Sequence, residues 1–202
     1  GAGAGGCALV GPVSVNDNGE SESNPHGITF SKSGETMYMI GNADDVFEYD
    51  LTNAYCIGNI GVDKDETTPW VLYKKDIEID GVSGNPTGIV FDPSGTKMFI
   101  VDKHSDTVYQ YVVHEPWRAL AINSTAGDSS HCYCNPISFS ISGQEATPEG
   151  ITFDASGTKM FIVGSEGTNK GEVNTYNLTE PYRVTSASHA DVYTMSFTDT
   201  NP

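Results

Sequence analysis

Long apolar runs are absent from this 202-residue sequence, in which apolar stretches end after four or five residues. A helix needs about 20 consecutive apolar residues to cross a bilayer, so no segment is predicted to span a membrane as a helix. The helix-favouring residues Leu, Lys, Arg and Gln are also scarce, whereas Gly, Ser, Thr, Asn, Asp and Tyr are plentiful. This balance favours short strands joined by tight turns.

Basic residues are few as well, since ten Lys and Arg stand against 27 Asp and Glu and give a formal charge of −17. DNA, RNA and anionic membranes attract proteins through Lys and Arg, so these partners are excluded. The acidity is interpreted as solubility in a salty extracellular medium. The alternative is binding of a divalent cation such as Ca²⁺.

Motifs of catalysis and of zinc binding are missing. The sequence contains no H-E-x-x-H, no G-x-S-x-G and no P-loop, and its histidines lack metal-ligand spacing. The first six residues formally satisfy G-x-G-x-x-G, but no strand precedes them and no βαβ unit follows, so they are interpreted as a flexible tail. The prediction is a protein that is not an enzyme and has no cofactor apart from the Ca²⁺ alternative.

The cysteines are only four, and none forms a C-x-x-C pair of the kind that zinc knuckles use. Cys132 and Cys134 lie two apart in a β-like stretch, so they share one face and pair poorly with each other. One or two disulfides are predicted if the protein is secreted, and buried free thiols are the alternative. The candidates are Cys7, Cys56, Cys132 and Cys134.

Three copies of one sequence pattern make up most of the chain. They begin at Asn24, Asn85 and Thr147, and the glycines Gly27, Gly88 and Gly150 follow at spacings of 61 and 62 residues. Between Pro86–Val101 and Pro148–Val163, 13 of 16 positions are identical. Periods of this length are typical of propellers or arrays.

Each copy predicts four antiparallel strands. Gly-Ile-x-Phe forms the first strand, Ser-Gly forms a hairpin turn with glycine at positive φ, and Met-Phe-Ile-Val forms a second strand that is apolar on both faces. Such a sheet is stable only between neighbouring sheets. The third strands are predicted at 46–51, 108–112 and 173–178, and the fourth at 75–79, 137–141 and 193–197.

The motifs Pro-x-Gly-Ile-x-Phe, Ser-Gly-x-x-Met-Phe-Ile-Val and Val-x-x-Tyr, with the trailing Glu-Pro-Trp117 or Glu-Pro-Tyr182, resemble the YVTN/NHL-type β-propeller repeats. The resemblance implies an all-β, propeller-like array of four-stranded blades, as in bacterial surface and secreted proteins and in phage structural proteins. It divides the chain into an N-terminal segment (1–23) and three blades (24–84, 85–146 and 147–202).

Both ends of the sequence fall within the repeat pattern. Pro12–Val15 is predicted to be a stray strand that completes a neighbouring blade, and Asn201–Pro202 repeats the Asn-Pro that opens a unit. A propeller usually needs four to eight blades. The alternatives are a longer protein with further blades, several chains that complete a ring or filament, and an open linear array.

The resemblance also implies that the loop before the first strand and the loop between the second and third strands open at one end, where propellers bind ligands. A ligand or Ca²⁺ site there is one interpretation, and a solvated rim is the other, because the three repeats do not keep one residue type at this place. The candidate residues are His26, Glu149, Asp44, Asp45, Asp102, His104 and Glu166, together with Thr87 at the equivalent position of the second repeat.

Two N-x-S/T sequons, at Asn123 and Asn177, make glycosylation a further prediction. Asn177 alternates with Tyr176 and Leu178, so it should point away from what they bury. The favoured function is that of an extracellular or cell-surface (or virion) structural and adhesive module, such as a subunit of a surface filament or a phage tail fibre. The alternative is a metal-dependent lactonase or hydrolase with its site at the propeller mouth.

Overall fold

The computed structural model describes residues 24–42, 45–51, 53–57, 74–79, 81–82, 84–119, 131–132, 136–165 and 171–195. Strands make up most of this part of the chain, and a 3-10 helix spans Val184–Ser186. No helix within these ranges is long and apolar enough to cross a membrane. The strands are β1 (Pro25–Phe30), β2 (Thr36–Gly41), β3 (Asp45–Asp50), β4 (Lys74–Ile79), β5 (Pro86–Phe91), β6 (Lys97–Asp102), β7 (Thr107–Val112), β8 (His131–Cys132), β9 (Ile137–Ser140), β10 (Pro148–Phe153), β11 (Lys159–Gly164), β12 (Gly171–Leu178) and β13 (Ala187–Met195).

The strands form three sheets, which we call blades 1 to 3. Blade 1 has the order β1-β2-β3-β4, blade 2 has β5-β6-β7-β9, and blade 3 has β10-β11-β12-β13, with antiparallel neighbours throughout. The short strand β8 adds a parallel edge to blade 1 by pairing with β4. The predicted all-β array of three antiparallel blades is therefore confirmed, whereas the predicted stray strand Pro12–Val15 lies outside the described residues.

The hairpin between the first two strands is the same in every blade. Its glycine, Gly34, Gly95 or Gly157, has a φ of 75°, 72° or 71°, as the Ser-Gly motif predicts. In blade 2 the turn is closed by Asp92, whose carboxylate accepts a hydrogen bond from the Lys97 amide at 2.7 Å. These turns set the register that aligns the second strand with the first.

An aromatic residue covers each of these turn glycines. We call Tyr55, Trp117 and Tyr182 the aromatic clasps, and each has a positive φ, of 58°, 61° and 53° respectively. The amide of each clasp donates to the carbonyl of its turn glycine, at 2.7, 3.0 and 2.9 Å. The Glu-Pro-Trp and Glu-Pro-Tyr motifs thus belong to a contact that closes the blade, and Tyr55 occupies the same place without the Glu-Pro.

Each blade has a forward face, directed at the next blade along the chain, and a backward face. The forward face of blade 1 packs on the backward face of blade 2 in one apolar cluster, and blade 2 packs on blade 3 in a second cluster. The second strand of blade 2 is buried from both sides, since Met98, Phe99, Ile100 and Val101 are all 0% exposed. The prediction of a doubly apolar, sandwiched strand is confirmed there.

Equivalent positions build the two interfaces. Between blades 1 and 2, the forward residues Tyr38, Ile40, Val46 and Ile79 meet backward residues that include Met98, Ile100 and Tyr111. Between blades 2 and 3, the forward residues Phe99, Val101, Val108 and Ile141 meet backward residues that include Met160, Ile162 and Tyr176. The backward face of blade 1 is also buried, through Met37, Met39, Phe47, Tyr49 and Leu51.

The fourth strand of blade 3 begins earlier in the chain than the sequence predicted. It was expected at 193–197, but β13 begins at Ala187, directly after the 3-10 helix, and runs to Met195. The connection between the third and fourth strands is long in blade 2, from Val112 to Ile137, and much shorter in blade 3, from Leu178 to Ala187. In blade 3 the chain turns back after Leu178 and pairs with β12 along its whole length, from Leu178↔Ala187 to Gly171↔Met195.

Candidate functional site

The loops predicted to bind a ligand lie together at one end of each blade. The first strand starts opposite the end of the second, with the pairs Pro25↔Gly41, Pro86↔Asp102 and Pro148↔Gly164. The register shifts at each of these prolines, so the Pro-x-Gly segment bulges at this rim.

The rim residues bond mostly to protein groups. Glu149 forms an ion pair with Lys103 of the preceding blade and accepts a hydrogen bond from Ser165 at 3.4 Å. His26 Nε2 lies 3.0 Å from Asn42 Oδ1 at an exposed position. Two blades are therefore linked across the rim by opposite charges, and the carboxylate of Glu149 already has a cation beside it.

The other candidate ligand residues differ in how far their side chains are buried. Asp102 is 0% exposed and accepts a hydrogen bond from the His104 amide at 2.8 Å, while the His104 side chain is exposed. Asp45 is half-buried. Asp44 and Glu166 lie outside the described residues. Within the ranges that the structure describes, no three His, Cys, Asp or Glu residues come together as a metal site would require, and the Ca²⁺ site stays a prediction.

Thr87, the residue at the Pro-x-Gly position of blade 2, has a structural role. Its side chain is 3% exposed, and its hydroxyl donates to the Pro148 carbonyl of blade 3 at 2.8 Å. The backbones are close here, because a Cβ on Gly88 would lie 3.0 Å from the Cα of Gly150. The starts of the first strands thus form the inner contact between blades.

Blade 3 differs from blades 1 and 2 because no described blade packs on its forward face. Val163 pairs with Val173, which pairs with Tyr193, so the three side chains form one row across the sheet. Val163 is 37% exposed and Tyr193 is 70% exposed. Their equivalents Val101 and Val108 in blade 2 are 0% exposed, because blade 3 covers them. In the described part of the chain, an apolar surface of the kind that forms the other two interfaces is therefore left exposed.

Polar side chains add a specific contact at each occupied forward face. Glu48 in blade 1 is 2% exposed and forms an ion pair with Arg118 of blade 2, with 3.6 Å between Oε1 and Nε. The equivalent Gln110 in blade 2 accepts a hydrogen bond from the Val184 amide of blade 3 at 3.0 Å. The predicted alternation of the third strand did not indicate a buried Glu48. Its pairing opposite Tyr38, as Gln110 pairs opposite Phe99, is the signal that could have done so.

Tyrosines at these interfaces are held neutral. Burial, together with the nearby Glu48 carboxylate, raises the pKa of Tyr38, whose hydroxyl donates to the Trp117 carbonyl. Burial also raises the pKa of Tyr176 to about 12, with a smaller contribution from the Glu145 carboxylate. Their ionisation at alkaline pH would place a charge inside an interface, so these contacts favour the protonated form.

The cysteines and sequons are described only in part. Cys56 is 2% exposed and disulfide-bonded. Cys7, Cys134 and the side chain of Cys132 lie outside the described residues, so the connectivity stays a prediction. Asn177 is exposed while Tyr176 and Leu178 are buried, as the alternation predicted. Asn123 lies outside the described residues, and use of either sequon stays a prediction.

No protein-family model matches the chain, and no curated protein matches it either. Solved structures do. A Bacteroides fragilis protein provisionally named a 6-phosphogluconolactonase matches with a TM-score of 0.52 and 11% identity, over 88% of this chain and 44% of its own. A functionally unknown protein from Desulfotomaculum acetoxidans matches with a TM-score of 0.51 and 14% identity, over 84% of this chain and 42% of its own.

The β-propeller domain of Cps50 (Swd1) from Myceliophteria thermophila matches with a TM-score of 0.47 and 12% identity, over 84% of this chain and 42% of its own. The order and antiparallel pairing of the strands in its three sheets make the fold of this chain a propeller-like array of blades. The chain spans less than half the length of each of these three proteins. Likeness at such identities concerns the fold alone.

Proposed function

We propose that the chain is a non-enzymatic extracellular structural or adhesive module of YVTN/NHL-type propeller repeats, and that it self-associates through the forward face of blade 3. The open row of Val163, Val173 and Tyr193 carries this proposal. At the same positions, blades 1 and 2 bury their side chains against another blade. A contiguous exposed apolar patch of this kind is typical of an interaction surface.

The partner in this proposal is a second copy of the chain, bound with the two third blades facing each other. A head-to-tail ring would need the backward face of blade 1 to be available. That face is already buried through Met37, Phe47 and Tyr49. A two-fold contact uses the same patch on both copies and closes on itself, so it does not need that face.

The extracellular location is supported by the disulfide at Cys56, because disulfides persist in oxidising compartments. A glycan at Asn177 is compatible with assembly. Its equivalent Val112 is 58% exposed although blade 3 covers the forward face of blade 2, so this position lies beyond the edge of the interface.

The non-enzymatic assignment is supported by the rim, where Lys103 pairs with the Glu149 carboxylate that a metal site would need. The alternative, a metal-dependent lactonase, draws on the name given provisionally to the Bacteroides fragilis protein. At 11% identity that likeness says nothing about activity.

Sedimentation equilibrium tests the assembly. The wild-type chain is expected to be dimeric, and Tyr193→Glu is expected to be monomeric, because the substitution places a charge within the apolar row. Val192→Glu is the matched control. Val192 is 46% exposed and adjacent in sequence, but it pairs with Asn174 and so lies on the opposite side of β13.

A dimer that persists in Tyr193→Glu would contradict the proposed surface. A wild-type chain that stays monomeric at every concentration would contradict self-association altogether. Circular dichroism of both variants shows whether a loss of assembly reflects a loss of fold.

A further inference from the structure

An open cleft with a volume of about 480 Å³ lies where the β1–β2 hairpin of blade 1 meets the turn that carries the clasp of blade 2. It is separate from the rim, because the hairpin is at the opposite end of the strands. Four of its lining residues belong to blade 1 and three to the clasp turn of blade 2. They are Ser31, Lys32, Ser33, Thr36, Pro116, Trp117 and Arg118.

The same place between blades 2 and 3 holds a lysine side chain. Lys97 stands at the position of Thr36, at the start of the second strand. Its Nζ donates to the Tyr182 carbonyl at 3.1 Å and lies 3.5 Å from the Pro181 carbonyl. Both clasp turns have the pattern Pro-aromatic-Arg. Because the Thr36 side chain is too short to reach the clasp turn in the same way, the cleft is a lysine site that the chain does not fill itself.

The oxygen atoms that bind Lys97 have counterparts in the cleft. The carbonyls of Pro116 and Trp117 correspond to those of Pro181 and Tyr182. The Trp117 carbonyl accepts a hydrogen bond from the Tyr38 hydroxyl, and its second lone pair can accept another. In blade 2 the residue equivalent to Tyr38 is a phenylalanine, which cannot donate, and Lys97 supplies the hydrogen bond instead.

The hydroxyl groups of the hairpin add further acceptors. Ser31 Oγ accepts a hydrogen bond from the Thr36 amide at 3.0 Å and lies 3.3 Å from Ser33 Oγ. These groups are therefore held in place before a ligand arrives. Carbonyl and hydroxyl oxygens together suit a group that carries several donors and no acceptor, as an ammonium does.

The arginine of the clasp turn does not exclude a second cation. Arg118 forms an ion pair with the buried Glu48, at 3.6 Å between Nε and Oε1. Its counterpart Arg183 is paired with Glu180 at 3.0 Å, and Lys97 binds to the same turn. Each arginine thus has its own carboxylate, and a lysine is accommodated beside one of them. The formal charge of −17 also favours the approach of a cation over that of an anion.

We infer that the cleft binds a lysine side chain of a partner protein, with the ammonium at the Pro116 and Trp117 carbonyls and the methylene stem against Trp117. Lysine stems commonly lie along apolar surface while the charged end meets polar atoms. The site goes beyond the proposed assembly, because it lies between blades 1 and 2 and leaves the forward face of blade 3 free. A small free amine carries the same group and is an outcome of the test.

NMR titration of the full chain with Nα-acetyl-lysine N-methylamide tests the site. Saturable shifts are expected at the Thr36 and Arg118 amides and at the Trp117 indole N–H. Thr36→Lys places a lysine of the chain itself in the gap and is expected to abolish these shifts. Thr36→Ser is the matched control, since it leaves the gap open and should bind within about twofold of wild type.

Lys97→Thr is the reverse test, because it opens the same gap between blades 2 and 3. The blocked lysine is expected to give a second set of shifts in this variant, at the Tyr182 and Arg183 amides. It should also raise the melting temperature of Lys97→Thr more than that of Thr36→Lys. Absence of the second set of shifts, or undiminished shifts at Arg118 in Thr36→Lys, would overturn the inference.

Analogues of the ligand identify the group that is recognised. Nα-acetyl-norleucine N-methylamide keeps the apolar stem without the ammonium and is expected to bind at least about fivefold more weakly. Equal binding of this analogue, or of the blocked glutamate, would overturn the assignment of an ammonium. Binding of butylamine without binding of the blocked lysine would overturn a protein as the source.

The exposed Lys32 provides a test of the sign of the charge. Lys32→Gln removes a cation at the edge of the cleft while keeping most of the stem, so the blocked lysine is expected to bind more tightly. Weaker binding in this variant would contradict a cationic ligand. Sedimentation of Thr36→Lys should match that of wild type, so a failure of lysine binding is distinguishable from a failure of the proposed assembly.

Discussion

The turn glycines and their clasps show how single residues close a blade. An added Cβ on Gly95 would lie 2.5 Å from the indole of Trp117, and the values for Gly34 and Gly157 under their tyrosines are 2.3 and 2.2 Å. Each turn therefore needs its glycine for two reasons: the backbone has a positive φ, and the aromatic ring above it leaves no room for a Cβ. The aromatic ring in turn links the chain after the third strand to the first hairpin.

Gly95→Ala is therefore expected to lower the free energy of unfolding by about 2–4 kcal/mol, from the left-handed backbone and the overlap with Trp117. Gly143→Ala is the matched control. A Cβ there would meet nothing within 4 Å among the described residues, and its expected effect is within about 0.5 kcal/mol. Urea denaturation followed by circular dichroism measures both, and equal effects would contradict the clasp as the cause.

Strands of the same sequence experience different surroundings according to the blade that carries them. Phe99 and Phe161 are equivalent residues of β6 and β11. Phe99 is 0% exposed and packs against Phe153 of blade 3, with 4.5 Å between ring centroids and the rings tilted by 49°. Phe161 lies on the open forward face and is half-buried. The difference comes from the neighbouring blade.

Phe99→Ala is expected to cost about 3–5 kcal/mol of stability, as for other buried aromatic residues. Phe161→Ala should cost no more than about 1.5 kcal/mol, since less apolar area is lost from a covered position. Both are measured by urea denaturation in the Tyr193→Glu background, so that assembly does not contribute. Similar costs for the two variants would mean that the forward face of blade 3 is covered in solution.

Local chemistry explains which elements could be predicted from the sequence. The first two strands and their turn are encoded by contiguous residues, so Gly95, Met98 and Val101 were placed correctly. The fourth strand of blade 3 was misplaced because its position depends on the length of the preceding connection, which the repeat does not fix. Tyr55 was missed as a clasp because its motif, Asn-Ala-Tyr, lacks the Glu-Pro of the other two.

The sites depended on contacts between blades, which one repeat does not encode. The rim position of Glu149 followed from the repeat, but its ion pair with Lys103 of the preceding blade did not. The open space beside Thr36 forms only where the hairpin of blade 1 meets the clasp turn of blade 2. The sequence shows that Thr36 stands where blade 2 has Lys97, but it does not show that this position lies at an interface.

At the scale of the whole molecule, the blades form a nearly one-dimensional array in which each contacts its neighbours. Blade 2 is covered on both faces, by blade 1 through Ile89 and Tyr111 and by blade 3 through Phe99 and Val108. Blade 3 is covered on its backward face alone among the described residues. Opening blade 3 therefore exposes one interface, whereas opening blade 2 exposes two.

Hydrogen exchange can test this ordering with an internal control. The segments 97–101 and 159–163 have the same sequence, Lys-Met-Phe-Ile-Val, and occupy the same place in β6 and β11, so their intrinsic exchange rates match. In the Tyr193→Glu monomer, the amides of 97–101 are expected to exchange more slowly, because the blade that holds them is covered on both faces.

In the wild-type chain, raising the protein concentration should slow exchange at 159–163 and leave 97–101 nearly unchanged, since a second copy covers only the forward face of blade 3. Equal protection of both segments in the monomer would mean that the three blades open as one cooperative unit. The array would then lack the graded stability that separate interfaces confer, and the open face would not be its weakest part.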